Sequence, residues 1–466
     1  MLSIYDKGWS RTCESVNRRE LLRIGSMSLG GLALPGLLAM RASAAELVKD
    51  KAVVMLNLQG GPTHIETFDP KMTAPAEYRA IFGETKTSLA GVTFGSTFRK
   101  LARLGDRLTI VRSFAHNASS HGPAAALVAS GGNQTKAAMG ALYARAAGIS
   151  NPRTGVPSNV VVPPLACGPD YKGLEYDPTN RVTGVGSLPA AYQAFDPSVG
   201  GNLLGDMQLH LPQSRFEGRR SLLAGLDQIK RQIDASGTLS GMSRFEQQAI
   251  DVLMGGVSEA FDISKEDPRT VARYDTGHIR FSREVAGSAN YIANSQPIAL
   301  GKQMLLARRL VEAGCAYVTV TSNNWDWHGP KHGLSTMLPV QGAAVDHAVS
   351  AFLEDLQDRG LSEKVLLILT GEFGRTPRIN KNGGRDHWGN LCTLALAGGG
   401  LPMGQVIGQS DRLVGRPAAE PVTVKNLHAT VMNTLFDRGL ARISQQVPAD
   451  IAKAVSEGEP IAQLTT

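Results

Sequence analysis

The sequence predicts an α/β protein, a doubly wound, mainly parallel sheet with helices on both faces and an inserted cap region. Three observations lead there. Apolar runs of strand length, such as Ala52-Val-Val-Met-Leu-Asn-Leu58 and Val365-Leu-Leu-Ile-Leu-Thr370, are continuous and not alternating, which marks strands buried on both faces. Helical patterns separate these runs, as in successive βαβ units. Each run then stops at a loop rich in Gly, His, Asp and Glu, and open α/β sheets place their sites at such carboxyl ends.

The chain of 466 residues is long enough for one large domain with insertions, and 42% hydrophobic content describes an ordinary globular interior. Residues 1–44 stand apart. Asn17-Arg18-Arg19-Glu20-Leu-Leu-Arg23 is a twin-arginine pattern, Ser26 to Leu38 has the length of a signal h-region, and Ala42-Ser43-Ala44 fits an A-x-A cleavage site. The apolar run is shorter than the ~20 residues a bilayer span needs. The expectation is export by the twin-arginine route to the periplasm, leaving residues 45–466 as one mature domain. Removing six Lys/Arg and three Asp/Glu with the leader lowers the formal charge from +7 to about +4. That charge is too small and too evenly spread for a nucleic-acid surface. No later segment reads as a membrane span.

In order, the strand Ala52–Leu58 runs into Gln59-Gly-Gly-Pro-Thr-His64-Ile-Glu66-Thr-Phe-Asp69. Helical patterns follow around 74–82 and 96–104, then a strand from Arg107 to Arg112 and the loop His116-Asn-Ala-Ser119-Ser120-His121. Pro123-Ala-Ala-Ala opens a helix with proline in its first turn, capped by Ser120 or a neighbour. A helix over 135–147 and a strand over Asn159–Val162 come next. Between about 164 and 290 the strand signals thin out, and helices over 216–235 and 243–255 suggest a cap. Strands resume at Ala316–Thr321, Val365–Thr370 and Leu391–Ala397, fed by helices over 290–313 and 339–359 and closed by one over Val424–Phe436.

Of four cysteines, Cys13 falls in the leader. Cys315 and Cys392 sit in strand-like runs, which predicts buried, inert thiols. With Cys167 the remaining count is odd, so no disulfide framework is expected.

Six of the ten histidines fall in four strand-end loops. Asp326-x-His328-x-x-x-His332 can turn a carboxylate and two imidazoles toward one divalent ion, and Trp325 and Trp327 argue against a freely solvated loop. Asp386-His387 adds an oxygen and a nitrogen ligand, Glu372 is a ligand or a base, and His64 lies in the first loop. Arg375 or Arg385 can grip an anion through paired hydrogen bonds, the alternative for Arg375 being an ion pair with Glu372. Ser119, Ser120 and His121 stand at a helix start, where the dipole favours an anion or a nucleophile, or where they simply cap. The candidate catalytic set is therefore Ser120, His121, Glu372 and Arg375. The candidate metal set is Asp326, His328, His332, Glu372, Asp386, His387 and His64, with zinc as the expected ion and calcium or manganese as alternatives. His428, inside a helical run, reads as structural.

With these residues assembled, the chain resembles the exported proteins of the DUF1501 family, which is similar to a branch of the alkaline phosphatase and sulfatase superfamily. The motifs are Gly60-Gly-Pro-Thr-His-Ile-Glu-Thr-Phe-Asp-Pro-Lys71, Trp325-Asp-Trp-His328, Gly371-Glu-Phe-Gly-Arg-Thr-Pro377, Gly384-Arg-Asp-His-Trp388 and Asn426-Leu-His-Ala-Thr430. The resemblance implies an alkaline-phosphatase-like fold and a metal-dependent hydrolase of phosphate or sulfate esters, acting on an anionic small molecule or glycan. In chain order it matches Gln59, the Ser119-Ser120-His121 segment, Asp326 with His328 and His332, Glu372, and His387 to that superfamily's site. Two departures stand out. Gln59 stands where a carboxylate ligand is expected, unless His64, Glu66 or Asp69 substitutes, and Cys167-Gly-Pro-Asp-Tyr lacks the arginine of the sulfatase motif. The rival expectation is a non-catalytic periplasmic binding protein that keeps the fold.

Overall fold

The computed structural model describes residues 47–168, 170–171, 179–199, 257–287, 295–329, 332–445 and 447–465. The leader and the helices expected over 216–235 and 243–255 lie outside the described residues. The strands are β1 (Ala52–Leu58), β2 (Glu84–Lys86), β3 (Thr93–Gly95), β4 (Thr109–Val111), β5 (Asn159–Val162), β6 (Tyr317–Ser322), β7 (Val365–Thr370), β8 (Gly374–Arg375), β9 (His387–Trp388), β10 (Leu394–Gly398) and β11 (Gln405–Ile407). The principal helices are α1 (His121–Ser130), α2 (Met139–Ala147), α3 (Leu300–Glu312), α4 (Leu334–Asp358), α5 (Val424–Leu435) and α6 (Ala449–Ser456).

Seven strands form one sheet in the order β11-β4-β10-β7-β1-β6-β5. Strand β1 lies at its heart, parallel to both β6 and β7, and every residue of these three strands is buried. Side chains alternate between the two faces. Val54, Leu56 and Leu58 join a core with α3 and α4, whereas Val53 and Met55 join a second core with α2, α5 and α6. Each Val, Ile or Leu so buried contributes about 1.5–3 kcal/mol of transfer free energy. The continuous apolar runs thus became central strands covered on both sides.

Strand β10 is antiparallel to both β7 and β4, and among the described residues it is the one reversed strand of this sheet. Because β7 and β10 run in opposite directions, the connection between them, residues 371–393, begins and ends at the same edge.

Some local readings differ. Residues 74–82 form turns and not a helix, with the Pro75 carbonyl accepting from both Tyr78 and Arg79, and the β2–β3 hairpin follows. Helix α4 starts at Leu334 and not at 339, so Pro339 lies inside it. Of the expected cap, the flank 257–274 packs on the main body: Val257, Ala260, Phe261 and Tyr274 share a core with α3 and α4. Among the described residues, no helix is long and apolar enough to cross a membrane. Cys315 and Cys392 are buried free thiols, and burial pushes both up to about 12.

An ionic network pins this flank. Glu266 accepts from Arg308 at 2.5 Å, Arg309 at 2.8 Å and Arg359 at 2.9 Å, with Arg308 itself 1% exposed. Burial alone would raise the Glu266 pKa, but the hydrogen bonds from Arg308 and Arg309 outweigh it and bring it to about 2. Its ordinary value is 4.5, so the stabilisation is complete above that pH and is lost as pH falls from 4.5 toward 2. Glu266→Gln leaves three guanidinium groups without their shared carboxylate, and a loss of about 3 kcal/mol or more is expected by chemical denaturation at pH 7. The variant should also lose part of the wild type's acid sensitivity below pH 4.5. A loss under about 1 kcal/mol, the range of exposed ion pairs, would contradict this reading.

Candidate metal centre

The loops after β1, β4, β6 and β7 leave the sheet at one edge, because those strands share a direction. Close backbone contacts then bring them together. Gly60 has φ +112°, and a Cβ there would lie 2.6 Å from the backbone nitrogens of Trp325 and Asp326. Only glycine lets the first loop pass beneath the third. At Gly384 a Cβ would lie 2.2 Å from the His328 carbonyl carbon, so glycine again admits the segment Arg385–His387 to that loop.

The two tryptophans anchor Asp326. Trp325 and Trp327 are fully buried and stacked at 4.8 Å, and their indole nitrogens donate to Ser322 Oγ and to Gln341 Oε1. Asp326 between them keeps a third of its side chain exposed. Three imidazoles converge on it: His328 Nε2 lies 2.9 Å from Oδ1, His387 Nε2 3.0 Å from Oδ1, and His121 Nε2 3.5 Å from Oδ2. The Nε2 atoms of His328 and His387 face each other at 3.1 Å.

The partners of the other ring nitrogens fix the tautomers. His121 Nδ1 lies 2.8 Å from Glu372 Oε1, His328 Nδ1 2.9 Å from Asp386 Oδ1, and His387 Nδ1 3.0 Å from the Ser119 carbonyl. Carbonyls and carboxylates only accept, so each Nδ1 carries the hydrogen and each neutral ring presents a bare Nε2 lone pair. Two lone pairs at 3.1 Å repel unless a cation lies between them or one ring is protonated, and the Arg375 guanidinium also approaches His328 Nε2, at 3.3 Å.

The electrostatics agree. Burial alone would raise the Asp326 pKa, but hydrogen bonds with His121, His328 and His387 and the Arg375 charge hold it far below the usual carboxylate range. In return Asp326, then Glu372, raises His121 to about 9, and Asp326 raises His328. The carboxylate therefore favours positive charge at the Nε2 positions, which a proton or a divalent ion supplies.

The residues fit a metal. Ligand atoms of His121, Asp326 and His387 all lie within 4.8 Å of one another. Separations of 2.9, 3.0, 3.1 and 3.5 Å bracket the edge of a tetrahedron with zinc-length bonds, about 3.3 Å. Glu372 stands behind this group. It is buried, accepts from the Gly60 amide at 2.9 Å and orients His121. Asp386 does the same for His328.

Other expected members lie elsewhere or act differently. His64 is buried against the Val414 carbonyl at 2.9 Å, and burial lowers its pKa to about 4. Glu66 pairs with Arg385, and Asp69 with Arg112 and the Ser410 hydroxyl, so neither joins the histidines in place of a first-strand carboxylate. Gln59 itself is 4% exposed, and neither side-chain amide atom has a partner among the described residues. His332 is half-buried and feels the charges of Asp326, His328 and Arg375, with burial lowering its pKa. Arg375 and Arg385, expected to grip an anion, are 1% and 0% exposed. Their donors go to backbone carbonyls, to Asp326, to His328 Nε2 and to Glu66. Ser120 occupies the N-cap of α1 with an exposed side chain that makes no capping bond. His428 is a buried helix residue bound to the Ala454 carbonyl, as its setting implied.

Sequence reasoning missed Arg181, whose Nε lies 4.0 Å from where a Cβ of Gly122 would stand, at the start of α1. Nothing in its local pattern marks it. Phe373 was also passed over as an apolar neighbour of Glu372, yet its ring packs 4.5 Å from His387 and 5.1 Å from His121.

Removing the carboxylates behind the histidines should weaken metal binding without abolishing it. Asp386→Asn and Glu372→Gln are each expected to lower divalent-metal affinity about 10–100-fold in competition with a chelating dye. His64→Asn should leave it unchanged. Equal affinities for all three variants would exclude this assignment of roles.

Residues 50–439 match the model of a family described as a protein of unknown function, DUF1501. A search of curated proteins finds no match. Among solved structures, a sulfatase from Pseudoalteromonas sp. is similar at 14% identity and TM-score 0.31, over 86% of this chain and 71% of that one. A phosphonate monoester hydrolase from Silicibacter pomeroyi shares 10% identity at TM-score 0.35, over 82% and 72%. A lipoteichoic acid synthase from Listeria monocytogenes shares 9% at TM-score 0.29, over 85% and 77%. The family match spans most of the chain, and the protein belongs to the DUF1501 family.

Proposed function

We propose that this protein is a metal-dependent hydrolase of phosphate or sulfate esters, exported by the twin-arginine route and acting in the periplasm. The observation that carries the reading is the convergence of three imidazole Nε2 atoms on Asp326, each ring held through Nδ1 by a separate acceptor. Asp326, His387 and His121, with His328 beside them, would hold one divalent ion, zinc fitting the nitrogen-rich set best. Such an ion supplies Lewis acidity toward an ester oxygen and lowers the pKa of a bound hydroxyl or water.

The chain's own residues would do the rest. Ser120, exposed at the start of α1 and next to His121, would act as the nucleophile, in the helix-terminal field that favours an anionic oxygen. Glu372 would keep His121 in the tautomer that presents its Nε2 lone pair to the ion. Arg375 fixes Asp326, and Arg181, which lies beside Gly122 in the first turn of α1, would pair with an anionic ester. The substrate would be an anionic small molecule or glycan ester.

Gln59 favours the rival reading, a non-catalytic binding protein that retains the fold, because it removes a charged ligand from the first strand end.

One divalent ion per chain is expected by elemental analysis of the purified protein, and none in the His328→Ala, His387→Ala double variant. Aryl phosphate or aryl sulfate hydrolysis should be lost with chelator and should fall at least about 100-fold in Ser120→Ala. A metal-free wild type would refute the centre. A metal-loaded protein without turnover on either ester class would leave the binding protein as the better account.

A further inference from the structure

A second cluster of charged side chains lies away from the metal centre, on the outer side of α4. A 220 Å³ cavity is lined there by Lys100, Arg103, Arg273, His347, Ser350 and Glu354, with Leu104 and Ala351 forming apolar wall. The cations come from two segments, the short helix Arg99–Arg103 and the residues before Tyr274, while α4 supplies His347, Ser350 and Glu354.

The cluster is ordered by its own contacts. His347 Nε2 lies 2.9 Å from the Arg273 carbonyl, so that nitrogen carries the ring hydrogen and Nδ1 is an acceptor. Lys100 Nζ, 2.5 Å away, donates to it. The ammonium is thereby held at the cavity wall. Arg273 is steadied by Asp358 at 2.7 Å. For Arg103 no ion pair is seen among the described residues.

The pointer to a ligand is Ser350. This residue is 3% exposed and lines the cavity, yet its hydroxyl has no hydrogen-bond partner among the described residues. A buried hydroxyl left unpaired is destabilising, and a bound oxygen would satisfy it. Cationic donors around a buried hydroxyl donor match an acceptor-only group with several oxygens. Glu354 on the rim disfavours a second negative group, so the cavity suits one tetrahedral oxyanion.

We propose that this cavity is an anion site for a single phosphate or sulfate group, free or esterified, separate from the metal centre. Lys100 and Arg103 supply the charge and Ser350 the buried hydrogen bond. The site does not rest on the hydrolase reading, because its residues are distinct from the metal set and need no ion.

The test is calorimetric titration of the full mature chain with inorganic phosphate and, separately, with methyl phosphate, each with and without chelator. Saturable binding that survives the chelator is expected. It should weaken at least about tenfold in Lys100→Met with Arg103→Met, equivalent to about 1.4 kcal/mol, and should also weaken in Ser350→Ala. Binding of inorganic phosphate alone assigns a free anion, and binding of methyl phosphate as well assigns an esterified group. Binding abolished by chelator, or unchanged in both variants, would overturn the proposal, because phosphate would then sit at the metal centre. Heat matched by sodium chloride at equal ionic strength would overturn it too.

Discussion

One buried guanidinium holds the site together. Arg375 donates from Nε to the Gly61 carbonyl at 2.8 Å, from Nη1 to the Arg385 carbonyl at 3.1 Å and from Nη2 to the Trp325 carbonyl at 3.2 Å. The same Nη2 contacts the Gly60 carbonyl and the Asp326 carboxylate. Five N–H donors in a rigid fork can bind several loops at once, which a lysine ammonium on a flexible stem cannot. Burying that charge would cost several kcal/mol if it were unpaired, so the loops after β1 and β6 are held wherever their carbonyls and Asp326 can satisfy it. Asp326 is consequently a fixed point, and the histidines are arranged around it.

Fixing the carboxylate is only half of the arrangement, since a ligand histidine must also present the correct nitrogen. The acceptors behind the three rings come from different places: Glu372 from the end of β7, Asp386 from the β8–β9 region and the Ser119 carbonyl from the start of α1. They reach one edge because β10 runs against β7. A parallel successor to β7 would have carried residues 371–393 across to the opposite edge, and Asp386 and His387 would have been separated from Glu372. The reversed strand is therefore a condition for the site, not a decoration of the sheet.

Much of this was legible in the chain. The strands β1, β6 and β7 and the helices behind them follow from uninterrupted apolar runs, because a strand covered on both faces has no polar side to show. The loops that carry Asp326, His328, His387, His121 and Glu372 were marked by residue types that seldom gather by chance. What local pattern could not convey was the role of each group. Glu372 and Asp386 look like ligands in a list of acids, and only the partner of each imidazole shows that they stand behind a histidine. His64 looks like a ligand by its place after β1, but burial against Val414 gives it a different setting. Arg375 and Arg385 look like anion grips, and their burial is decided by carbonyls distant in sequence. Arg181 had no mark at all, because its position depends on how its helix packs beside α1.

The charge of the centre limits what it can hold. Asp326, Glu372 and Asp386 contribute three negative charges, and Arg375 returns one positive charge through its contact with Asp326. With the histidines neutral, as ligation of a metal through Nε2 requires, two negative charges remain, which one divalent ion would balance. A second divalent ion would need further carboxylates. Gln59 offers none, and Glu66 and Asp69 are already engaged with Arg385 and Arg112. The uncharged amide of Gln59 thus does more than delete a ligand: it leaves a cluster whose remaining charge matches a single divalent ion.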